Sequence, residues 1–580
     1  MADTSLFDKI IRLRQRRNAP LILELDLTEG ITDEPPADPL SALLTHRRNR
    51  LSDMIDGLRR AQADGRVQAL VAKVGGRRIG VAKIQELRDV ITQFRKSGKT
   101  TIAWAESFGD FGPGNLAYYL ATAFDQIYLQ PSGDLGLTGI ALETTFYRGT
   151  LDKLGIDYEV AKRHEYKNAV NVLTEHAFDA PHREAQQRLV ESVTEQITSG
   201  IAEHRGMSHA DARGLIDSGP FIGEEATGAG LVDALGYRDE VYAAVRKEVG
   251  AGAELQYVGR YNRAQKLARG ARKLPNPRER FVALIHANGV IRRGRSGRGP
   301  IQSTAIGSDT LTAALRAATA DDRVLAIVLR VNSPGGSHVA SDTIWREVVR
   351  ARASAKPVVV SMGDLAASGG YYISAPADVI VAQPGTLTGS IGVFGGKPVI
   401  TGLMERAGLS TDAVHEGERA RMFSNTHRYA PDEWGRVNTW LDRIYADFTG
   451  KVAEGRRLTS ARVHEVARGR VWTGADALQC GLVDELGGLE LAEQIARRRA
   501  GLPPDAPVRP YPRVSPLDRL RPAESSEDRA AAAASFAGAG PVEAAAGLLA
   551  ESWGPAAQFA VRLGLPAGGP LLLPGTWVIN

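Results

Sequence analysis

Runs of branched and aliphatic residues recur in both halves of the chain, and each run predicts a buried β-strand. The first half carries PLILELDL at 20–27 and VQALVAKV at 67–74, and the second half carries FVALIHANGVI at 281–291 and VLAIVLRV at 324–331. Strands that are apolar on both faces are typical of parallel sheets covered by helices. Amphipathic helical stretches lie between the runs, so the pattern predicts α/β units with largely parallel sheets.

The two halves are copies of one unit. The stretch at 107–140 aligns with 360–393 at an offset of 253 residues, which brings their paired tyrosines into coincidence. Farther along, GLVDALG at 230–236 recurs as GLVDELG at 481–487, at an offset of 251 residues. Matches in the same order at nearly the same offset indicate a tandem duplication of a unit of roughly 220 residues.

This repeat and the changes in composition predict five segments. They are a basic amphipathic N-terminal segment (1–19), a first domain (20–250), a basic linker (251–280), a second domain (281–505) and an Ala/Gly/Pro-rich tail (506–580). The tail shows no periodic pattern of apolar residues, so we expect it to be largely flexible.

The copies differ at two positions that bear on chemistry. The second copy has Ser368 within GDLAASGGYYIS at 363–374, and the residue 253 positions earlier is Asn115. The first copy has Lys167 within RHEYKNAV, and the residue 253 positions later is Ala420. One copy keeps a serine and the other a lysine, which indicates a composite site to which each copy contributes half.

A serine and a lysine can act together as a nucleophile and its base. A hydroxyl is a weak nucleophile until a base takes its proton, and a lysine, whose ordinary pKa is near ~10.4, is such a base only if burial lowers that pKa. VNSPGG at 331–336 ends the second strand of the second copy, and the N–H groups of Gly336 and Gly369 can bind a carbonyl oxygen there. The matching strand end of the first copy, KVGGRR, is three residues shorter, and we interpret it as a site that has lost its function.

Four motifs carry a resemblance to a known family. VNSPGG, GDLAASGGYYIS, LTGSIGV and, in the first copy, EYKNAV resemble those of signal peptide peptidase A in its long tandem form, a serine/lysine-dyad protease of bacteria. The resemblance covers about residues 20–500. It implies an α/β fold of two tandem domains, each similar to the superhelix of ββα units in Clp protease and crotonase, with helical extensions that mediate ring assembly.

The resemblance also implies roles for five residues. Ser368 would be the nucleophile and Lys167 the general base, while Gly336 and Gly369 would donate to the oxyanion. Ser390, in TGSIGV, would orient the lysine, and its counterpart in the first copy is a leucine.

Three other side chains are alternative bases. Lys397 follows Ser368 by 29 residues in the same copy, but a lysine in a glycine-flanked loop is usually solvated. His415 follows the serine by 47 residues, and His338 stands beside the glycine loop without an obvious acidic partner, so a Ser–His–Asp arrangement is less favoured. The chain has neither metal-ligand spacing nor a phosphate-binding glycine motif, and we expect no metal and no cofactor.

Composition narrows the class of protein further. The chain has 580 residues, of which 43% are apolar and 24% charged, as in a soluble globular protein of more than one domain. Its single cysteine, Cys480, excludes an internal disulfide. No stretch approaches the ~18 consecutive apolar residues of a transmembrane helix, and we expect neither such a helix nor a signal peptide.

The net charge of +5 is small, but the basic residues are clustered. SLFDKIIRLRQRR at 5–17 combines apolar and basic residues in a pattern suited to a short helix on an anionic membrane, and the alternative is a solvated terminus. Two further basic runs lie at 258–280 and 292–299. We expect peripheral membrane contact and no nucleic acid partner.

We therefore predict a serine endopeptidase that degrades cleaved signal peptides and other short apolar peptides at the membrane through an acyl-enzyme. The resemblance implies a homo-oligomer in the form of a tetrameric ring. Two alternatives stay open, namely a crotonase-like acyl-CoA hydratase or isomerase and a non-catalytic, ring-forming membrane scaffold.

Overall fold

The computed structural model describes residues 19–33, 49–76, 79–272, 276, 278–296, 305–512 and 571–572. The N-terminal segment predicted at 1–19 lies outside these residues except for its last one. The tail predicted at 506–580 is described only at its beginning and at Leu571–Leu572.

The chain forms two compact units whose limits differ from those of the sequence repeats. The first unit contains Met1–Ala141 and Val193–Pro277, and the second contains Leu142–Ser192 together with Arg278–Val578. The segment Leu142–Ser192 belongs to the first repeat along the sequence. In space it packs with the second repeat, so Lys167 and Ser368 lie in the same unit.

The helices and strands up to Pro277 fall into three stretches of chain. Residues up to Ala141 form β1 (Leu21–Asp26), β2 (Ile31–Thr32), β3 (Asn49–Arg50), α1 (Leu51–Ala63), β4 (Val67–Lys73), α2 (Val81–Arg95), β5 (Thr100–Ala105), α3 (Asn115–Ala121), β6 (Gln126–Leu129) and β7 (Asp134–Leu135). The next stretch forms α4 (Arg148–Leu154), β8 (Asp157–Lys162), a 3-10 turn (Asn168–Val170), α5 (Asn171–Thr174) and the long α6 (Ala180–Arg205). The third forms α7 (His209–Ser218), β9 (Phe221–Ile222), α8 (Gly223–Gly228), β10 (Ala234–Leu235), α9 (Arg238–Val249), β11 (Glu254–Tyr257) and α10 (Val258–Arg272).

The chain from Arg278 onward supplies the remaining elements. Its first half forms β12 (Phe281–Asn288), β13 (Val290–Arg292), β14 (Ala305–Gly307), α11 (Ser308–Ala320), β15 (Val324–Ser333), β16 (Gly335–Gly336), α12 (His338–Ala353), β17 (Val358–Ala367), α13 (Gly369–Ser374), β18 (Val379–Ala382), β19 (Leu387–Gly389) and β20 (Phe394–Val399). Its second half forms α14 (Thr401–Arg406), α15 (Pro431–Arg456), α16 (Ser460–Val466), β21 (Val471–Thr473), α17 (Gly474–Gln479), β22 (Glu485–Leu486), α18 (Leu489–Arg499), β23 (Val508–Pro510) and β24 (Leu571–Leu572).

A parallel six-stranded sheet organises the first unit, in the order β10-β6-β5-β4-β1-β11. The predicted strands at 20–27 and 67–74 are its adjacent inner strands β1 and β4, which confirms them. Leu23 points into one buried cluster and its neighbour Ile22 into another, so both faces of the sheet are covered. This double burial explains why the strands are apolar without alternation.

The second unit repeats this plan with the order β21-β19-β17-β15-β12-β23. The predicted strands at 281–291 and 324–331 fall in β12, β13 and β15 and are likewise confirmed. Strand β17 has two successive neighbours on one side, because its first half pairs with β18 and its last three residues, Leu365–Ala367, pair with β19. The sheet therefore divides between Ser361 and Leu365, shortly before Ser368.

The second unit also contains two smaller sheets. In one, β13 pairs with β14 and with β16, and β16 also pairs with β24. In the other, β8 runs antiparallel to β20 over six residue pairs, from Asp157 opposite Val399 to Lys162 opposite Phe394. This second pairing attaches the lysine-bearing segment to the serine-bearing repeat.

Candidate active site

Ser368 occupies a strained turn between β17 and α13. Its φ is +53°, in the left-handed region that residues with a side chain rarely adopt. Its N–H donates to the carbonyl of Gly389 at 2.8 Å, and its carbonyl accepts from the N–H of Tyr372 at 2.9 Å. The side chain is fully buried. Strain that is held by hydrogen bonds on both sides is characteristic of functional turns.

Lys167 reaches the same place from β8. The β8–β20 pairing ends at Lys162, five residues before Lys167, and β20 begins four residues after Ser390. The N–H of Tyr166 donates to the carbonyl of Arg468 at 3.2 Å, which fixes the backbone beside the lysine. Lys167 is fully buried.

The amine of Lys167 has three oxygen neighbours. Its Nζ lies 3.0 Å from Ser368 Oγ, 2.9 Å from Ser390 Oγ and 3.1 Å from the Ser390 carbonyl oxygen. Ser390 also has a positive φ, of +49°, and its N–H donates to the carbonyl of Arg470 at 2.7 Å. None of the three contacts is to a carboxylate, so the amine is held by neutral groups.

This environment changes the protonation of the lysine. Burial lowers the pKa of Lys167 from 10.5 to about 7, because the charged form loses the solvation of water. The lysine can therefore be neutral near neutral pH, which a general base requires.

Two glycines make room for the lysine. A Cβ on Gly469 would lie 2.5 Å from the backbone nitrogen of Lys167 and 2.6 Å from its Cβ. A Cβ on Gly392 would lie 3.2 Å from Lys167 Cδ. The sequence analysis did not identify either glycine. A signal was present for Gly392 in the TGSIGV motif, whereas Gly469 is 302 residues from the lysine in a segment with no motif.

The glycine loop before α12 lies against the serine turn. A Cβ on Gly369 would lie 3.0 Å from Gly335 Cα and 3.1 Å from the Gly336 nitrogen, so two backbones approach closely here. Ser333 holds the loop, since its hydroxyl accepts from the Gly335 N–H at 3.1 Å and donates to the carbonyl of Gly289 at 2.7 Å. Gly336 has a φ of +152° and no space for a side chain. A Cβ placed on Gly336 would lie 2.1 Å from the carbonyl oxygen of Ile291.

The corresponding place in the first copy is closed. The side-chain oxygen of Asn115 accepts from the N–H groups of Thr138 and Gly139 at 2.9 and 3.0 Å, and its amide donates to the Gly139 carbonyl at 2.8 Å. Leu137, the counterpart of Ser390, is fully buried. The asparagine thus satisfies backbone groups and offers neither a hydroxyl nor a base.

The alternative bases have other partners. Lys397 Nζ donates to the carbonyls of Met422 and Ser424 at 2.7 and 3.0 Å. His338 does have an acidic partner, contrary to the sequence analysis, because Nε2 lies 3.0 Å from Asp447 Oδ2 on α15. His415 is exposed. Of the four candidate bases, Lys167 is the one in contact with Ser368.

Within the part of the chain that the structure describes, no group of acidic, histidine or cysteine residues is arranged to hold a metal ion. Over the same residues, no helix combines the length and apolar character needed to cross a bilayer.

Comparison with known proteins gives consistent matches. The model of peptidase family S49 matches residues 93–252 and 350–502, one stretch in each repeat. Protease 4 of Salmonella typhi is 33% identical over 500 residues, covering 83% of this chain and 78% of the relative. The chloroplastic serine protease SPPA of Arabidopsis thaliana is 30% identical over 460 residues, covering 78% of this chain and 66% of the relative. A protein of Enterococcus faecium named putative signal peptide peptidase SppA is 36% identical over 167 residues, or 29% of this chain and 48% of the relative.

Among solved structures, a ClpP1 mutant from Listeria monocytogenes matches 36% of this chain and 94% of its own length, with 13% identity and a TM-score of 0.23. The family match favours a peptidase over the two alternative classes, the acyl-CoA enzyme and the non-catalytic scaffold. The family model covers more than half of the sequence in two copies and long relatives carry protease names, so the chain belongs to peptidase family S49 and is a serine protease in tandem form.

Proposed function

We propose that Ser368 is the nucleophile of this protease and Lys167 its general base. The observation that carries the proposal is the 3.0 Å contact between Lys167 Nζ and Ser368 Oγ inside a fully buried site. Burial also brings the pKa of the lysine to about 7, where its neutral form is available.

A neutral amine can make all three contacts of Nζ. Such an amine has two N–H donors and one lone pair. The N–H groups are directed to the carbonyl and hydroxyl oxygens of Ser390, which leaves the lone pair for the hydroxyl proton of Ser368. Ser390 thereby orients the lysine as a base, and it takes no part in bond making.

The reaction then proceeds in two halves. Lys167 takes the proton of Ser368 as Oγ attacks the peptide carbonyl, and the resulting ammonium returns that proton to the leaving amine. Water attacks the acyl-enzyme in the second half, with the lysine again as base. The N–H groups of Gly336 and Gly369 stabilise the oxyanion in both halves, and a donor of this kind contributes about 3–4 kcal/mol to transition-state binding where it has been tested.

We propose cleaved signal peptides and other short apolar peptides as substrates. Support comes from the motifs shared with signal peptide peptidase A and from the name of the Enterococcus faecium relative. A buried apolar cluster that includes Ala169 and Ala367, next to the two reactive residues, gives the surroundings the same character.

Replacement of the dyad tests the mechanism. Ser368→Ala and Lys167→Ala should each remove hydrolysis of a fluorogenic apolar peptide, and Ser368→Ala should also remove covalent labelling by a fluorophosphonate. Ser374→Ala is the matched control, because Ser374 is a buried serine of α13 whose hydroxyl donates to the Gly370 carbonyl. Substantial turnover in either dyad variant, or no labelling of the wild-type protein, would overturn the proposal.

We further propose that copies of the chain assemble head to tail into a ring of four, as the resemblance implies. The segment Glu405–Ala420 supports this, because every one of its residues is exposed, including the apolar Leu409 and Val414. At the repeat offset of 253 residues, Ser410–His415 is the counterpart of β8, and the glycines before both segments share a left-handed φ, +73° at Gly155 and +69° at Gly408.

The first-copy strand β8 pairs along its whole length with β20, whereas its second-copy counterpart has no strand pairing within the described chain. The counterpart of β20 in the first copy is the stretch 141–146, which is also unpaired there. Each chain therefore offers two segments without strand pairing, at positions equivalent to those of β8 and β20. Pairing between neighbours would repeat head to tail, and such a contact closes into a ring when the rotation permits.

Peripheral contact with an anionic membrane is part of the same proposal. The basic, apolar residues 5–17 are its basis, and they lie outside the described residues. Removal of residues 1–18 should abolish sedimentation with anionic liposomes. Unchanged sedimentation would exclude this segment as the contact.

A further inference from the structure

The last strand of the chain, β24, lies beside the glycine loop that contains Gly335 and Gly336. Strand β24 runs antiparallel to β16, with Leu571 opposite Gly336 and Leu572 opposite Gly335. The other edge of β16 is occupied by β13, where Ile291 pairs with Gly336. β24 thus covers the remaining free edge of the loop that carries one of the proposed oxyanion donors.

This edge is where an extended peptide would have to lie to be cut. Gly336 lies close to Gly369, the residue after Ser368. The backbone nitrogen of Gly336 would be 3.1 Å from a Cβ placed on Gly369. A peptide held along β16 in strand pairing has its backbone beside the nucleophile. Addition of a strand to an exposed edge is a general way to bind peptides without strict sequence requirements.

The sequence around β24 suits such a role. Leu571–Leu573 stand between Pro570 and Pro574. Proline lacks the N–H that a ladder needs, so the two prolines disfavour a longer strand. The result is a short apolar strand of the same chemical class as the proposed substrates.

We propose that the Leu571–Leu572 strand is an internal competitor that occupies the peptide-binding edge of β16 and lowers the access of substrates to Ser368. The inference rests on the proposed function, since it assigns the same edge to substrates. Fifty-eight residues separate Pro512 from Leu571, a span of up to ~190 Å when extended, so the connection does not restrict where the strand can bind. A tethered segment competes as an intramolecular ligand at an effective concentration set by its linker, so even weak pairing can lower the access of substrates.

The test compares two double variants of the full chain. Leu571→Asp with Leu572→Asp places charges on the strand and should free the edge. The matched control is Leu548→Asp with Leu549→Asp, a second Leu-Leu pair of the tail, outside the described residues. We expect the first variant to have an apparent KM for a short apolar peptide about fivefold lower than wild type, with kcat unchanged and faster fluorophosphonate labelling of Ser368. The control should behave as wild type.

A binding measurement keeps the inference separate from catalysis. The two proteins compared are Ser368→Ala and the triple variant Ser368→Ala/Leu571→Asp/Leu572→Asp. A synthetic PLLLPG peptide should bind to the triple variant. It should bind more weakly to Ser368→Ala, because the intact β24 of that protein competes with the peptide for β16. Equal binding to the two proteins, or an unchanged KM in the strand variant, would overturn the inference and leave the dyad intact. Loss of the tail from wild type but not from Ser368→Ala, seen by intact mass, would also overturn it, because the strand would then be a substrate. Peptide binding without hydrolysis or labelling in any variant would instead contradict the proposed function.

Discussion

At the scale of the residue, Lys167 is unusual because its buried amine has no acidic partner among the residues that the structure describes. Its contacts are two serine hydroxyls and one carbonyl, and burial alone lowers its pKa to about 7. A carboxylate in the same position would favour the ammonium and raise the pKa. The absence of an acid from the contacts of Nζ is therefore what makes this lysine suitable as a base.

The pKa of Lys167 predicts the pH dependence of activity. Protonation removes the lone pair, so kcat/KM for a peptide without titratable groups should fall about tenfold per pH unit below a midpoint near 7. The measurement is a pH–rate profile with a fluorogenic peptide, from about pH 9 to about pH 5. A profile that stays level across the region of pH 7 would contradict a lysine base with this pKa.

The same shift predicts a gain in stability when the lysine is removed. The pKa of Lys167 is lower in the folded protein than its ordinary value of 10.5, so between about 7 and 10.5 the unfolded chain binds more protons. Wild-type stability should rise with pH across this window. Lys167→Met lacks the free-energy cost of burying the lysine in its neutral form. It should be more stable than wild type by up to about 4 kcal/mol near pH 7, and the difference should disappear above pH 10.5.

Chemical denaturation of both proteins at several pH values measures this difference. Lys397→Met is a suitable contrast, because it removes a donor from the carbonyls of Met422 and Ser424 and should destabilise the fold. A Lys167→Met protein that is less stable than wild type at neutral pH would show that the lysine contributes packing in excess of its desolvation cost.

At the scale of the element, the β8–β20 ladder and one loop position the lysine. The ladder sets the register of the segment, and the loop from Arg468 to Arg470 lies against both Tyr166 and Ser390 through backbone hydrogen bonds. Gly469 is the point of closest approach, since any side chain there would overlap the backbone of Lys167. The geometry of the proposed base thus depends on a residue with no reactive side chain.

Gly469→Ala should therefore lower kcat by more than about tenfold, because a shift of the lysine by part of an ångström weakens proton transfer. Its φ of +87° adds backbone strain. Gly501→Ala is the matched control, with a φ of +63° and nothing within 4 Å of the new Cβ. Peptidase assays and melting temperatures of the two variants distinguish backbone strain at the glycine from displacement of Lys167. Equal activity in both variants would contradict the positioning role of Gly469.

The elements themselves were largely predictable from the sequence. The apolar runs that became β1, β4, β12 and β15 are buried on both faces, and burial of this kind leaves a clear pattern. The division of β17 between two neighbours and the positive φ of Ser368 and Ser390 left no such pattern. They result from contacts with β18, β19 and the Arg470 carbonyl, which lie far apart in sequence.

At the scale of the whole molecule, the exposed segment Glu405–Ala420 predicts assembly. Leu409→Asp with Val414→Asp should convert the oligomer into monomers in light scattering, because charges would be placed on a strand that pairs between copies. Leu267→Asp is a control at another exposed leucine, on α10. Since Lys167 and Ser368 lie in the same unit of one chain, the monomers should still be labelled by a fluorophosphonate. An unchanged oligomer would exclude this segment from the contact.

By itself the sequence determined the duplication and the α/β character of each repeat, and it predicted the pairing of Ser368 with Lys167. These follow from local apolar patterns and from comparison of one copy with the other. Only the tertiary structure decided that Leu142–Ser192 packs with the second repeat, that Ser390 supplies two of the three contacts of the amine and that Gly469 leaves it space. The same is true of the acidic partner of His338. These features depend on distances between residues far apart along the chain, which long-range packing sets and local composition does not record.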